Sequence, residues 1–387
     1  MAHVQTPGHG RSRALRGGTP VPRVDLAQEN PVKDLYPDTI HRILVRGTNW
    51  VGDAVMSVPA LKEVRRIFPR AHIALLVRPW VKDVYSAAAF VDEVLEYDKQ
   101  RTHKGWTGLR RIADDMRRRT FDLAILLQNA FEAALIPWWA GIPRRLGYAR
   151  DGRRMLLTHP CRIDPEVGMV HQVYYYLGIL SAAGLLPPRL WQDGSCKPSI
   201  SIGVRREDRA AAKVLLREEG VEPGEKIVGV NPGAFYGPAK RWLSDRYAAA
   251  ADRLAEKYRV RIVIFGAANE RQVAEEVARQ MKRPAIILAG RTSLGTLMGL
   301  IKECSLLVTN DSGPMHLAAA LDVPQVAIFG SSSEIATGPL GPEARVIKHP
   351  VGCSPCFLRE CPIDFRCMTR ITVDEVLAAA HQTLSRK

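Results

Sequence analysis

The stretch LLVTNDSGPMHLAAALDVPQVAIFG, residues 306–330, decides the fold. Leu306–Thr309 is a short, continuous apolar run, the pattern of a strand buried on both faces. Asn310, Asp311, Ser312 and Gly313 make a small polar turn, a helix follows from about 314 to 321, and Gln325–Phe329 is apolar again. Strand, helix and strand in that order form a crossover unit, which requires a parallel sheet. Ligands of such sheets bind beyond the carboxyl ends of the strands. The helix start after Asn310 offers free N–H groups, and small Ser312 and Gly313 leave room for a pyrophosphate beside them. Ser312 can hydrogen-bond a phosphate oxygen, and His316 sits one turn further on. The plainer alternative makes Asp311 or Ser312 a helix cap and His316 a satisfied core residue.

The same alternation runs outward in both directions. Strands are expected at Ile43–Arg46, His72–Val77, Glu93–Tyr97 and Asp122–Gln128, with helices beginning near Asp53, Trp80, Thr107 and Phe131. In the second half, strands fall at Ile227–Asn231, Arg261–Phe265, Ala285–Leu288, Leu306–Thr309 and Gln325–Phe329. Helices are expected at 244–258, 269–281, 294–302 and 314–321, and a last one from about Thr372. Residues 184–200, GLLPPRLWQDGSCKPSI, break the pattern with three Pro and two Gly. The expected organisation is a disordered basic extension over 1–38, an N-terminal domain over 39–185 and a linker over 186–200. A C-terminal domain over 201–387 carries a Cys-rich loop at 353–367 and the terminal helix. The fold class is α/β, with two doubly wound Rossmann-like domains facing a cleft that is the natural active site.

Composition narrows the function. The 387 residues are 46% apolar and 25% charged, a globular balance. No apolar stretch reaches the length of a membrane span, and the first 38 residues lack the apolar core of a secretory signal. The 55 Lys+Arg against 40 Asp+Glu give a net charge of +15, which points to an anionic partner. Residues 101–162 hold 13 Lys+Arg against 5 Asp+Glu, dominated by Arg117–Arg119 and by Arg144, Arg145, Arg150, Arg153 and Arg154. This is either a solvated face or a landing patch for an anionic glycolipid or an anionic leaflet. No zinc finger, helix-turn-helix or aromatic RNA motif accompanies the charge, so nucleic acid is not the expected partner. Seven Cys, an odd count without a secretory signal, suggest a reducing cytoplasm. Cys353, Cys356, Cys361 and Cys367 cluster in CSPCFLRECPIDFRC, either as free thiols or as ligands of a structural zinc or iron–sulfur group. Four thiolates would close the coordination sphere, so a catalytic metal is not expected.

Three further motifs can carry chemistry. RGTNWVGDAVMSVPAL, residues 46–61, lacks the G-x-G-x-x-G fingerprint, which disfavours a nicotinamide enzyme. Asp53 is either a helix cap or a carboxylate that takes a proton from a hydroxyl nucleophile, and Gly52 lets a ligand approach the backbone. VGVNPGAFYGPAKRW, residues 228–242, presents Lys240, a compact charge suited to phosphate. In FGAANERQ, residues 265–272, Glu270 either accepts a ribose hydroxyl or favours the helix start.

Taken together, WVGDAVM, PGAFYGPAKRW and TNDSGPMHLAAAL resemble the motifs of the ADP-heptose:lipopolysaccharide heptosyltransferases of glycosyltransferase family 9, most nearly the heptosyltransferase II branch. The resemblance runs from Arg42 to the C-terminus. It implies a GT-B architecture, an inverting transfer and no cofactor for catalysis. It implies that Asp53 is the base, that Lys240 holds the donor phosphate, and that Asn310, Asp311, Ser312, Gly313 and His316 surround the diphosphate and heptose. Glu270 would bind the ribose, Thr292 the adenine side, and Gly52, Asn129 and Arg144 the acceptor. The implied partners are ADP-heptose, a lipid A–Kdo–heptose acceptor and the anionic inner leaflet, with a cytoplasmic protein attached peripherally to the inner membrane. A transferase adding the first or third heptose, a sugar-nucleotide epimerase and a non-enzymatic nucleic-acid binder are the alternatives.

Overall fold

The computed structural model describes residues 34–192 and 197–384. The expectations for residues 1–33, for Cys196 and for the 193–196 part of the linker lie outside the described residues.

The first half runs β1 (Arg42–Arg46), α1 (Val51–Met56), α2 (Val58–Ile67), β2 (His72–Val77), β3 (Glu93–Glu96), α3 (Gly105–Arg118), β4 (Leu123–Leu126), α4 (Phe131–Trp139), β5 (Arg144–Tyr148), β6 (His159–Cys161) and α5 (Gln172–Ala182). Its sheet has the order β3-β2-β1-β4-β5-β6, with parallel pairing throughout. The second half runs α6 (Arg206–Glu218), β7 (Ile227–Asn231), α7 (Ser244–Tyr258), β8 (Arg261–Ile264), α8 (Arg271–Gln280), β9 (Ala285–Ile287), α9 (Leu294–Glu303) and β10 (Leu306–Asn310). It continues through α10 (Gly313–Ala320), β11 (Gln325–Ile328), α11 (Glu334–Thr337), β12 (Ala344–Ile347), α12 (Arg366–Thr369) and α13 (Val373–Leu384). Its order, β12-β11-β10-β7-β8-β9, repeats the first sheet's plan and is again parallel. Each sheet reverses direction between its first and fourth strands, which opens a crevice at the carboxyl ends of β1/β4 and of β7/β10.

The apolar strands form because both of their faces are covered: β7, β10 and β11 are buried at every position. The helices between them present one stripe. In α3 the buried residues Leu109, Ile112, Ala113 and Met116 recur at helical spacing, and its arginines face water. Leu44, Ala74 and Leu76 of the sheet pack in the same cluster as that stripe.

Candidate functional site

The loops after β1 and β10 bring the two halves together. A Cβ on Gly52 would stand 2.8 Å from His316 Cδ2, and one on Gly313 would stand 3.0 Å from Val51 Cβ. Any side chain at either glycine would wedge α1 and α10 apart. The motifs at residues 46–61 and 306–330, far apart in sequence, therefore meet across the cleft.

Asp53 lies in the first turn of α1 and caps nothing. Its carboxylate accepts a hydrogen bond from Tyr176 Oη at 3.0 Å. Burial raises the Asp53 carboxyl above the usual carboxylate range, and the Tyr176 bond and the Lys240 charge pull it back. Tyr176 is buried on α5. Sequence reasoning missed it: α5 is apolar on nearly all sides, so no polar face marked it as a helix.

Across the cleft, Lys240 follows a short turn and reaches Asp311 Oδ2 at 2.5 Å, with the two side chains 10% and 4% exposed. Thr337 Oγ1 approaches Asp311 at 3.4 Å. The Asn310 side chain is fully engaged elsewhere. Its amide donates to Pro232 O and Gly233 O, and its Oδ1 accepts from Trp242 N and Tyr247 Oη. Asn310 thus ties the Lys240 loop to β10, leaving backbone groups and Ser312 to meet a ligand. Ser312 stands at the N-cap of α10, where Asn231 Nδ2 donates to its hydroxyl at 3.2 Å. Burial lowers the His316 pKa to about 4, so at neutral pH it is an uncharged donor or acceptor. Glu270 lies against Gly233 and accepts from Ala267 N at 2.9 Å. Thr292 lies between β9 and α9, on the same carboxyl side of the sheet.

Three expectations need correction. Arg144 opens β5, where it pairs with Leu123 at the amino end of the sheet, the end opposite Asp53. The strand was missed because RRLGY carries two Arg and a Gly where an apolar run was sought. The Arg cluster does not form one open patch either. Arg153 is fully buried and donates to Tyr148 O, Gln128 O and Asn129 Oδ1. Arg145 donates to Leu156 O and Ile142 O, and Arg117–Arg119 bond to Asp114, Asp115 and Glu93. Asn129 is at the carboxyl end of β4, where it bridges Arg153 to Tyr175 Oη.

The third correction concerns the cysteines. Among the described residues no group of three or more His, Cys, Asp or Glu side chains is placed to hold a metal ion. Cys353 is exposed, Cys356 and Cys361 are half-buried, and Cys367 packs into the core beside Gly330. The loop acts as a brace. Cys356 N and Phe357 N donate to Ser331 O, Tyr236 Oη donates to Phe357 O, Arg359 Nε donates to Tyr236 O, and Ala239 N donates to Arg359 O. These bonds fix the loop that carries Lys240.

The site therefore pairs a proton acceptor on one half with a cation and a helix N-terminus on the other. The sequence profile of glycosyltransferase family 9 (heptosyltransferase) matches residues 109–365. The chain belongs to that family. Lipopolysaccharide heptosyltransferase 2 of Salmonella typhimurium is 32% identical, covering 89% of this chain and 99% of that protein. The Escherichia coli K12 protein of the same name is 33% identical, covering 79% of this chain and 88% of its own length. The solved structure of E. coli ADP-heptose lps heptosyltransferase II superposes with a TM-score of 0.74 at 29% identity, over 89% of this chain and 99% of that one. Family 9 membership makes this chain a glycosyltransferase with the GT-B architecture.

Proposed function

We propose that this chain moves L-glycero-D-manno-heptose from ADP-heptose to a heptose of the lipopolysaccharide inner core, the heptosyltransferase II reaction. The observation that carries the reading is the meeting of Asp53 with the Lys240–Asp311 loops across the α1–α10 contact. The relatives named heptosyltransferase 2 give the donor and acceptor class.

ADP lies along the β7 and β10 ends, with Lys240 and the α10 N-terminus on the diphosphate, Glu270 toward the ribose and Thr292 toward the adenine. The acceptor hydroxyl approaches over Gly52, and Asp53 takes its proton as the oxygen attacks C1 opposite the leaving ADP. The C–O bond to ADP breaks as the new glycosidic bond forms, so the anomeric centre inverts in one displacement. Charge growing on the diphosphate is held by Lys240 and backbone N–H groups already in place. The raised Asp53 pKa matches this task, since a more basic carboxylate accepts a proton more readily.

A panel of truncated acceptors with zero, one or two heptoses, read by mass spectrometry, tests the reading. Transfer onto the one-heptose acceptor alone is expected. Transfer onto the heptose-free acceptor alone would reassign the chain to addition of the first heptose.

The finer part of the proposal is peripheral attachment at an anionic membrane surface. No helix among the described residues is long and apolar enough to cross a membrane. The net charge of +15 favours an anionic leaflet. Flotation with anionic vesicles at low salt, lost at about 0.5 M salt where charges are screened beyond a few ångströms, is expected. Equal flotation with uncharged vesicles would contradict it.

A further inference from the structure

Asp53 and Lys240 stand on different halves of the molecule, so the reaction depends on what holds the halves in register. One side chain ties an element that ends on the base to an element that ends on the cation. His171 is the residue before α5, and it is half-buried. Its Nδ1 accepts from Val173 N at 3.2 Å and so caps the helix. Its Nε2 lies 2.8 Å from the carbonyl oxygen of Gly338, 167 residues away on the other half. Val173 N can only donate and a carbonyl can only accept, so the ring carries one proton, on Nε2, and is neutral. Burial depresses the ring's pKa and the Gly338 bond draws it back up, so the neutral form prevails at pH 7.

Both ends of this bond lead into the site. On one side, Gln172 follows His171 and its side chain hydrogen-bonds the Tyr176 hydroxyl, which donates to Asp53. On the other, Gly338 closes α11, and the residue before it, Thr337, stands 3.4 Å from Asp311, the partner of Lys240. The ring also bears on the pKa of His316, which places it beside the α1–α10 contact. A second bond between the halves, from Gly295 N to Asp83 Oδ2 at 2.9 Å, joins the start of α9 to the turn after β2 and leads to neither group. The His171 bond exists only while the halves keep their spacing, and reacting atoms about 1 Å out of place lose on the order of 10²-fold in rate.

We propose that His171 is a positioning residue for transfer: the bond from its Nε2–H to Gly338 O latches the two halves at the spacing that lets a hydroxyl on Asp53 reach the anomeric carbon of a donor held by Lys240. The proposal rests on the glycosyltransferase reading above and adds the contact that sets its geometry. His171 touches neither substrate. It acts through α5 on the base and through α11 on the Lys240–Asp311 pair.

Two substitutions separate the latch from the helix cap, because each amide copies one ring nitrogen. In His171→Asn the amide oxygen falls where Nδ1 lies and accepts from Val173 N, but the side chain is too short for Gly338. In His171→Gln the amide nitrogen falls where Nε2 lies and donates to Gly338 O, but Val173 N is left uncapped. The full chain of each is compared with the wild type in turnover of ADP-heptose with the one-heptose acceptor, in thermal unfolding and in calorimetric titration with ADP. His171→Asn should lower kcat by about 10-fold, the scale of one neutral hydrogen bond, while Tm stays at the wild-type value. KM for ADP-heptose and the affinity for ADP should hold in both variants, since the donor groups lie on one half. His171→Gln should melt at a lower temperature for want of the cap, yet keep the wild-type kcat. The opposite order, with turnover kept in His171→Asn and lost with stability in His171→Gln, would make His171 a helix cap alone and overturn the latch. Equal losses of kcat in the two variants would overturn it as well, since only one of them lacks the bond. A wild type that binds ADP yet transfers to no acceptor would remove the transferase reading, and the latch with it.

Discussion

Asp53→Asn is expected to lower kcat for heptose transfer by about 10²–10⁴-fold, the range over which a positioned base contributes. ADP-heptose affinity should be kept, because the donor groups lie on the other half of the molecule. The substitution also has a signed effect on stability. Burial raises the Asp53 pKa in the folded protein, so its charged form costs stability at neutral pH, and that cost fades as pH falls from the raised folded pKa to the unfolded value near 3.8. Asparagine removes the charge, so the inactive variant should melt at a higher temperature than the wild type at pH 7, with the gap closing in acid. A variant that lost activity together with stability would point to a structural role. Tyr176→Phe supplies the companion measurement. The phenol's hydrogen bond lowers the Asp53 pKa, so its loss should move the acid limb of the kcat profile to higher pH. KM for ADP-heptose should hold. An unmoved acid limb would mean that the group titrating in turnover is not Asp53.

The parts of this site legible in the sequence were those whose chemistry is local. A strand feeding a Gly-rich turn and a helix fixes its own backbone, so the Asp53, Lys240 and Asn310–His316 loops could be placed at strand ends before their partners were known. The Arg46–Leu61 and Leu306–Gly330 motifs did not say that they touch, because Gly52 packing on His316 and Gly313 packing on Val51 leave no mark in either segment. Tyr176 was hidden by the same limit, since a buried helix with no polar face has no amphipathic period to detect. Side-chain destinations were the least legible. Arg153 and Arg145 look like surface charge in a string of arginines, and Arg153 is buried where the carbonyls of Gln128, past β4, and Tyr148, at the end of β5, take its donors. Asn310 reads as a ligand contact, yet four hydrogen bonds commit it to the fold. The four cysteines share a spacing that metal sites use, and the fold keeps them near one another, yet among the described residues they form no group placed to hold a metal ion. Edge strand β12, half-buried and ending in Arg345–Ile347, lacked the continuous apolar run that betrayed β10.

Lys240→Ala is expected to have the second large effect, and it should appear in two measurements that a double variant separates. The Lys240–Asp311 pair is nearly fully buried, so removing the cation alone strands a carboxylate in a low-dielectric site. Breaking a buried pair from one side costs about 3–5 kcal/mol, whereas removing both members costs far less. Urea denaturation should therefore show Lys240→Ala as strongly destabilised and Lys240→Ala/Asp311→Ala as restored toward wild type, since Thr337 Oγ1 keeps Ser333 O as its acceptor. ADP binding should follow a different pattern. In the proposed function Lys240 is the cation offered to the diphosphate, so both variants should bind ADP more weakly, by roughly 100-fold if a charge-assisted contact is lost. Asp311→Ala alone should bind ADP at least as well as wild type, since the lysine no longer has to be shared with a carboxylate, although the protein should be less stable for want of the partner. Stability recovered without affinity would separate the two roles of Lys240: partner to Asp311 in the free enzyme, and counter-charge to the leaving diphosphate during transfer. If the double variant recovered both, the lysine's contribution to binding would be only the order it imposes on the loop, and the N-terminus of α10 would have to carry the diphosphate charge alone.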